Sequence, residues 1–378
     1  MTLFSDVRPN YGAGSLADVL PSALAAVGVS GPDPLGLRAA LGAPRRVAVL
    51  LVDGLGWHQL PIAAPHAPTL AALEGRPLTA GFPSTTPTSL VTLGTGVPPG
   101  AHGVLGFFLN VPGTDRVLSH IRWDSDPPPT TWQPVDPVFV RAVQAGIRSV
   151  VVSRPEFEGS GLTVAAYRGA EFRGATGPDE VSAAVLHALS ESPRALVYAY
   201  HGDVDRTGHD FGIDSPQWRE AVAGVDRLVR MIAEGLPSDA VLLVTADHGQ
   251  LNIPADRRID MADDPRLRAG VAVVAGEPRV RYLHTAPGAA PDVLAAWRTV
   301  LGPAAWVGTR EEAISTGRFG PVSPSFSDRI GDVVAICHDD WVVLATGLEP
   351  APIARMVAFH GSYTAAEMEI PLLVVRGG

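Results

Sequence analysis

The feature that most constrains the fold of this chain is a series of short apolar runs, each ending in a polar or glycine-containing turn. The runs lie at residues 47–52, 149–152, 195–200 and 241–244. Their valine, leucine and alanine residues do not alternate with charged ones, a pattern typical of strands buried on both faces of a largely parallel sheet. The sequence therefore predicts a central sheet covered on both sides.

Helical patterns lie between these predicted strands. Ser215 and Pro216 are typical of an N-cap and a first helical position, and apolar residues recur at helical spacing from Trp218 to Ile232. Residues 179–190 predict a shorter helix of the same kind. Alternating strands and helices indicate an α/β layered fold, in which ligands bind beyond the carboxyl ends of the strands.

The segment from about residue 253 to 345 has a different pattern. It contains short predicted strands at 271–274 and 279–283, and an expected hairpin of 332–336 with 341–345. We interpret it as a smaller α+β subdomain inserted into a single catalytic domain that spans residues 1–378.

The charged residues exclude several classes of function. The net charge is −10 and no basic tract is present, which argues against a nucleic-acid-binding surface. All 29 basic residues are arginines, so a Schiff-base lysine and a P-loop lysine are both excluded. The negative net charge does not exclude binding of a small phosphate ester, because a bound metal ion can supply local positive charge.

Membrane and export signals are absent from the sequence pattern. No apolar run has the length of a membrane helix, and the first residues lack the basic start and apolar stretch of a signal peptide. The single cysteine, Cys337, excludes an intramolecular disulfide. We therefore expect a cytoplasmic protein with no membrane partner, and the sequence leaves its oligomeric state open.

Six aspartate and histidine residues beside turns are candidate metal ligands. They are Asp53, Asp205, His209, Asp247, His248 and His360. Asp205 and His209 stand four residues apart, so one helical turn can aim both at one ion. Each position alone also fits an ordinary turn or a solvated loop. Together, three carboxylates and three imidazoles suit two divalent ions, zinc or manganese.

A hydroxyl-rich segment at residues 82–96 contains the candidate nucleophile. Pro87 is typical of the first turn of a helix, which places Thr85 or Thr86 near the helix cap. Free backbone N–H groups at a helix N-terminus bind phosphate, so a hydroxyl placed there could attack a phosphate ester. The same pattern also fits an ordinary threonine N-cap.

These motifs, in their order along the chain, resemble the alkaline phosphatase superfamily, and most closely its nucleotide pyrophosphatase/phosphodiesterase branch. The matching series is strand-Asp-Gly, Thr-x-Pro, Gly-x-x-Pro-x-x-His-Gly, Asp-x-x-x-His, Asp-His-Gly and a late His-Gly, found between Asp53 and Gly361. The resemblance covers most of the chain and implies the layered fold of that superfamily.

The resemblance also implies a two-metal site. Asp53, Asp247 and His248 would hold one ion, which Thr85 would also bind, and Asp205, His209 and His360 would hold the other. Thr85 would attack phosphorus to give a phosphothreonine, which water then hydrolyses. Thr86 is the competing nucleophile, but placing Thr-x-Pro on residues 85–87 favours Thr85.

One departure from the family concerns the phosphate-binding asparagine that often follows the first His-Gly pair. Phe107 occupies the matching position here and has no hydrogen-bond donor. Asn110, three residues later, is the predicted substitute for substrate binding. The preference for monoesters or diesters is therefore left open. Family phosphonoacetate hydrolases use lysines, which this chain lacks, and Cys337 does not match the sulfatase motif.

The predicted function is a phosphodiesterase or nucleotide pyrophosphatase that acts on a small phosphate ester, such as a nucleotide. Aromatic residues after the nucleophile segment could stack on a nucleobase or belong to the core; they are Phe107, Phe108, Trp123 and Trp132. The alternatives are a phosphomonoesterase or phosphonate hydrolase with the same site, a phosphomutase, and a non-catalytic metal-binding protein.

Overall fold

The computed structural model describes residues 2–123 and 125–378. Its strands are β1 (Arg46–Val52), β2 (Gly75–Thr79), β3 (Phe108–Asn110), β4 (Val117–Ser119), β5 (Arg148–Ser153), β6 (Glu171–Gly174), β7 (Ala195–His201), β8 (Ala240–Thr245), β9 (Leu251–Asn252), β10 (Arg258–Asp260), β11 (Val271–Glu277), β12 (Val280–Thr285), β13 (Ala305–Thr309), β14 (Val333–Cys337), β15 (Val342–Leu344), β16 (Ala358–Phe359) and β17 (Glu369–Arg376).

The α-helices are mostly short and connect these strands. They are α1 (Val19–Ala26), α2 (Leu37–Ala40), α3 (Leu60–Ala63), α4 (Pro68–Ala71), α5 (Thr86–Thr95), α6 (Pro99–His102), α7 (Pro129–Trp132), α8 (Val138–Gln144), α9 (Gly161–Tyr167), α10 (Gly177–Ser190), α11 (Asp203–Phe211), α12 (Pro216–Gly235), α13 (Ala290–Leu301), α14 (Arg310–Ser315) and α15 (Ala365–Met368). Over the described ranges, no helix combines the length and the apolar character needed to span a bilayer.

The central sheet has seven strands in the order β2-β17-β8-β1-β7-β5-β6. All are parallel to one another except β17, which runs antiparallel to β8 and β2. The middle strand β1 is buried along almost its whole length, as the continuous apolar run predicted. The predicted α/β fold with a largely parallel sheet flanked by helices is confirmed.

The register of the central strands brings their carboxyl ends together. Val52 of β1 lies opposite His201 of β7, and Leu51 lies opposite Thr245 of β8. The residues that follow β1, β7 and β8 therefore meet at one edge of the sheet.

The two helices predicted from periodicity are present. In α12, the Ser215 side chain accepts a hydrogen bond from the Trp218 backbone N–H at 3.2 Å, which satisfies one free donor of the first turn. Its buried face includes Val222 and Leu228 and packs into the main core. Helix α10 begins two residues before the predicted start and ends at the predicted residue.

A second sheet of six strands has the order β13-β14-β12-β11-β3-β4. Four of these strands come from the segment predicted as an insert, and β3 and β4 come from the chain that follows the hydroxyl-rich segment. A separate apolar core, which includes Met261 and Trp297, lies in this part of the molecule. The boundaries of the inserted subdomain, 253–345, stay a prediction.

The expected hairpin between the strands near 332–336 and 341–345 was wrong. Both strands exist as β14 and β15, but they belong to different sheets. Strand β14 has both edges occupied, by β12 and β13, so no edge is left for β15. Strand β15 pairs instead with β10, in a parallel arrangement.

A fully buried ion pair joins Arg279, just before β12, to Glu367 in α15. The guanidinium donates to both carboxylate oxygens, at 2.9 and 2.6 Å, and both side chains are 0% exposed. Glu367 also accepts a hydrogen bond from the Ser362 backbone N–H at 2.9 Å. The pair therefore fixes the loop after β16 against the second sheet.

Replacing Arg279 by leucine should lower the free energy of unfolding by about 3–5 kcal/mol, because it leaves the Glu367 carboxylate buried without its partner. Urea unfolding at neutral pH measures the difference. The matched control is Arg227→Leu, since the Arg227–Asp179 pair is 48% and 69% exposed and should contribute little. Equal stability of the Arg279 variant and the wild type would contradict the assigned role.

Candidate active site

Three predicted ligands at the carboxyl ends of β1 and β8 form what we call the Asp53 cluster. It consists of Asp53, Asp247 and His248, and one donor atom of each lies within 4.8 Å of the others. His248 Nε2 is 3.2 Å from Asp247 Oδ2 and 3.5 Å from Asp53 Oδ1. All three side chains are buried. The parallel pairing of β1 and β8 explains why residues so distant in sequence meet.

The other three predicted ligands form the His360 cluster, from Asp205, His209 and His360. Asp205 and His209 lie one turn apart on α11, and His360 follows β16. Asp205 Oδ1 is 3.3 Å from His209 Nε2 and 3.7 Å from His360 Nε2. The expected spacing of four residues thus places both side chains on one face of a helix.

The Asp53-Gly54 turn brings the two clusters close together. Gly54 has a φ of +75°, and a Cβ atom there would lie 2.9 Å from the Asp205 Cα atom. The Asp205 backbone N–H also donates to the Asp53 carbonyl oxygen at 3.1 Å. A larger residue at position 54 would therefore push α11 away from β1.

Backbone carbonyl groups orient all three histidines. Their Nδ1 atoms lie close to backbone oxygens: His209 to Ala358 at 2.7 Å, His360 to Ser84 at 2.8 Å and His248 to Gly249 at 3.1 Å. Because a carbonyl group only accepts, each Nδ1 carries the proton and donates it. Each Nε2 atom therefore presents a lone pair to its cluster, the arrangement found in metal-ligating histidines.

Hydrogen-bond acceptors thus converge in both clusters. The Nε2 atoms of His209 and His360 are 3.2 Å apart. Asp53 Oδ1 and Asp247 Oδ2 have no hydrogen-bond partner among the described residues. Converging lone pairs repel each other unless a cation lies between them. Mixed carboxylate and imidazole donors in each cluster fit a divalent ion such as zinc or manganese.

Burial and neighbouring charges shift the pKa values of the cluster residues in different directions. Burial alone would lower the pKa of His248, but the adjacent Asp247 carboxylate raises it. Burial, together with the nearby Asp247 carboxylate, raises the pKa of Asp53 well above its usual range. Burial also lowers the pKa of His360 well below its usual range, with added repulsion from His248 and His209. His360 is therefore neutral near pH 7, as a metal ligand must be.

Two further residues hold the aspartates in place, and sequence reasoning missed both. The Tyr200 hydroxyl donates to Asp53 Oδ2 at 2.5 Å, which leaves Oδ1 free for the cluster. The Gln250 side-chain amide donates to the Asp205 carbonyl oxygen at 3.1 Å and also contacts its carboxylate. Their only sequence signal was proximity to the motifs: Tyr200 lies near the end of β7, and Gln250 follows Asp247-His248-Gly249.

The structure places Thr86, and not the expected Thr85, beside the Asp53 cluster. The Thr86 hydroxyl lies 3.1 Å from His248 Nε2 and 3.5 Å from Asp53 Oδ2. Thr85 is the N-cap residue of α5 in an extended conformation, and successive side chains of extended backbone point in opposite directions. Its hydroxyl is fully buried and has no hydrogen-bond partner among the described residues, although Thr85, like Glu277, lines the cavity described below.

Asn110, predicted to bind the substrate, is not among the residues that line the cavity. Its side chain is 5% exposed and lies in the turn between β3 and β4. The amide nitrogen donates to the carbonyl oxygens of Thr114 and Arg116, at 2.8 and 3.2 Å. Asn110 therefore stabilises this hairpin and has no amide hydrogen left for a phosphate oxygen.

A cavity of about 510 Å³ opens at both clusters and at Thr86. Most of its wall is apolar or aromatic, and includes Phe107, Phe108, Phe157, Tyr200, Ile353, Met356 and Phe359. Of the four aromatic candidates, only Phe107 and Phe108 line this cavity. Trp123 and Trp132 are buried and donate their indole N–H groups to Pro127 and His120. They belong to the core, as the alternative interpretation had it.

The fold and the paired clusters define a protein of the alkaline phosphatase superfamily. The sequence profile of the Type I phosphodiesterase / nucleotide pyrophosphatase family matches residues 47–363. The chain therefore belongs to that family. The matched region extends from the start of β1 to just beyond the late His-Gly pair, so it contains both clusters.

Relatives in curated sequence and in solved structure are distant. An uncharacterized pyrophosphatase/phosphodiesterase of Schizosaccharomyces pombe is 31% identical over 47% of this chain and 38% of its own length. Human ectonucleotide pyrophosphatase/phosphodiesterase family member 7 is 24% identical over 56% of this chain and 49% of its own length. The aligned region thus spans half or less of these curated relatives.

Two solved structures share the fold. Murine ectonucleotide pyrophosphatase/phosphodiesterase 5 has a TM-score of 0.68 at 20% identity, over 88% of both chains. Phosphonoacetate hydrolase from Sinorhizobium meliloti has a TM-score of 0.65 at 19% identity, over 89% of this chain and 91% of its own. An inactive variant of the murine protein, with a threonine replaced by alanine, is known in complex with AMP.

Proposed function

We propose that this protein hydrolyses small phosphodiesters or nucleotide pyrophosphates, with two divalent ions bound by the Asp53 and His360 clusters. The observation that carries the proposal is the position of the Thr86 hydroxyl, 3.1 Å from His248 Nε2, between a convergent ligand set and an open cavity. Family membership supports the class of reaction. The mixed oxygen and nitrogen donors favour zinc, and manganese suits them as well.

In the proposed reaction, the oxygen of Thr86 attacks phosphorus and its proton passes to solvent. A new bond forms from the Thr86 oxygen to phosphorus, and the bond from phosphorus to the leaving oxygen breaks. The resulting phosphothreonine keeps the second ester group of the diester on its phosphorus. Water then attacks the phosphorus and releases the threonine. Ions held by the Asp53 and His360 clusters would supply positive charge that favours the ionised Thr86 hydroxyl and offsets the charge of the phosphoryl oxygens. Thr86 is the first residue of α5, whose unpaired N–H groups also stabilise the phosphoryl group.

The nucleophile in this proposal is Thr86 and replaces the earlier assignment to Thr85. The two residues are adjacent, and only the Thr86 hydroxyl lies at the Asp53 cluster. The inactive threonine-to-alanine variant of the murine structural neighbour supports a threonine in this role.

We propose a nucleotide or a similar aromatic phosphate ester as substrate. The aromatic wall of the cavity, next to the clusters, suits a flat apolar leaving group. The AMP complex of the murine neighbour supports this class of ligand. The absence of lysine from the whole sequence counts against phosphonoacetate, although a phosphonoacetate hydrolase shares the fold. The cytoplasmic location stays a prediction.

Turnover of bis(p-nitrophenyl) phosphate and p-nitrophenyl phosphate, with and without chelator, tests the proposal. We expect zinc-dependent turnover that favours the diester, together with two bound ions per chain by mass spectrometry of the metals. Activity should return when zinc or manganese is added back after chelation.

Preference for the monoester would assign a phosphatase instead. Metal binding without turnover of either ester would favour the two remaining alternatives, a phosphomutase or a non-catalytic metal-binding protein. Undiminished turnover in chelator, with no metal bound, would overturn the two-metal mechanism.

A further inference from the structure

Glu277, the last residue of β11, is a buried acid that the proposed reaction does not use. Its side chain is 4% exposed, and neither carboxyl oxygen has a hydrogen-bond partner among the described residues. It nevertheless lines the cavity at the two clusters. An acid buried without partners is costly, and such groups in native proteins usually have a reason to be there.

Two neighbours place Glu277 at the phosphoryl end of the cavity. The Thr85 hydroxyl, next to Thr86, lines the same cavity and, like Glu277, has no hydrogen-bond partner among the described residues. Gly361, directly after His360, has a φ of +132°, and a Cβ atom there would lie 3.0 Å from the Glu277 Cγ atom. The glycine of the late His-Gly pair thus leaves room for this acid beside both clusters.

The second sheet also brings Glu277 to the part of the cavity wall that contains Phe107 and Phe108. Gly276 of β11 pairs with Phe108 of β3, so Glu277 lines the same cavity as Phe107. Phe107 offers no hydrogen bond to a phosphate oxygen. Asn110, the expected substitute, is engaged in its own hairpin. Near the proposed position of the phosphoryl group, the cavity wall therefore contains the carboxyl group of Glu277 and not the expected amide of Asn110.

We propose that Glu277 is a specificity-determining residue that selects singly charged diesters and rejects doubly charged monoesters. This inference rests on the proposed function, because it assumes that the phosphoryl group binds between Thr86 and the clusters. A monoester has three non-bridging oxygens and nearly two negative charges, whereas a diester has two such oxygens and one charge.

The hydrogen-bonding capacity of a carboxyl group explains the selection. An amide offers two N–H donors, a neutral carboxyl group offers one and a carboxylate offers none. A carboxylate also repels the additional charge of a monoester across a site that excludes water. In either protonation state, Glu277 thus binds a dianion less well than an amide of the same shape would. Glu277 weakens the binding of a diester less, because a diester carries less negative charge on fewer non-bridging oxygens.

The test compares Glu277→Gln with the wild type on the diester and monoester p-nitrophenyl substrates. We expect the diester-to-monoester ratio of kcat/KM to fall about tenfold or more, mainly because the monoester improves. The affinity for inorganic phosphate, measured by calorimetry on the metal-loaded protein, should rise by about the same factor. Glu277→Ala removes the charge without adding a donor, so the same shifts should be smaller.

Controls separate specificity from a structural role. Glu220→Gln changes an exposed glutamate on α12 and should leave both the ratio and the phosphate affinity unchanged. Metal content and melting temperature of the Glu277 variants are measured in parallel. An unchanged ratio and an unchanged phosphate affinity in a folded, metal-loaded Glu277→Gln protein would overturn the inference, as would an equal loss on both esters. Phosphate binding does not require turnover, so the phosphate affinities test the role of Glu277 independently of activity. An inactive wild type would contradict the proposed function alone.

Discussion

Replacing Thr86 by alanine should lower kcat for the diester by at least about a thousandfold, because it removes the proposed attacking oxygen. The Tyr200 hydroxyl also lies at the Asp53 cluster, but it is engaged in a hydrogen bond to the Asp53 carboxylate. Replacing Thr85 should have a small effect, within about tenfold, since its hydroxyl has no hydrogen-bond partner among the described residues and makes no cap hydrogen bond with α5. The two substitutions are chemically identical and adjacent, so each controls for the other. Steady-state turnover at saturating substrate measures both.

A covalent intermediate gives a second, independent readout. Wild-type protein quenched in acid during turnover should contain a phosphorylated peptide, and its site should be Thr86. Thr86→Ser keeps a hydroxyl and should retain part of the activity, with the phosphoryl group on the new serine. Full activity in Thr86→Ala, or loss of activity in Thr85→Ala with normal metal content, would restore the original assignment.

The choice between these threonines shows where sequence reasoning reaches its limit. The Thr-x-Pro pattern fits residues 85–87, but it does not fix which way each hydroxyl points. That direction depends on where α5 begins, and the helix begins at Thr86 with Thr85 extended before it. Successive side chains point in different directions, so a shift of one residue in the helix start changes which threonine faces the cluster. Only the three-dimensional register of α5 against β1 and β8 decides it.

Five of the six residues in the two clusters were easier to predict, because each of the five is marked locally. Asp53 and Asp247 each follow a buried parallel strand, and adjacent parallel strands end at the same edge of the sheet. His209 is tied to Asp205 by helical spacing alone. Closeness along the chain does not identify the sixth residue, His360, which follows β16 and is distant in sequence from Asp205 and His209. Only the family resemblance grouped these three residues.

The misses share a physical cause, which is pairing between distant segments. Asn110 was expected at the phosphate because it is close in sequence to Phe107, but the β3–β4 turn takes its amide. Glu277 is distant in sequence from Phe107 but lines the same cavity, where β11 pairs with β3. Such contacts between separate segments leave no periodic signal in a single sequence. The same holds for β15, which leaves β14 and pairs with β10.

Removing one ligand from each cluster should abolish turnover and release one ion per chain in each case. The two variants are Asp247→Asn for the Asp53 cluster and His209→Gln for the His360 cluster. Loss of an ion that stabilises the transition state by several kcal/mol lowers kcat by at least about a thousandfold. Metal content after dialysis, measured by mass spectrometry, should fall from two ions to one.

Stability provides a readout that does not depend on catalysis. Without ions, the clusters hold buried carboxylates and facing imidazole lone pairs, so binding should stabilise the folded state. Zinc at a hundred times its dissociation constant contributes about 2.7 kcal/mol, which raises the melting temperature by several degrees. Each ligand variant should show a smaller zinc-induced shift than the wild type.

The control is His187→Gln, because His187 is an exposed residue of α10 that belongs to neither cluster. It should keep two ions, full turnover and the full zinc-induced shift. If Asp247→Asn and His209→Gln also kept two ions, the clusters would not be the metal sites. If each lost both ions, the two sites would be strongly coupled, as the backbone hydrogen bond from Asp205 to Asp53 at the Gly54 turn already suggests. Loss of turnover with both ions retained would assign these residues to the substrate and separate their role from metal binding.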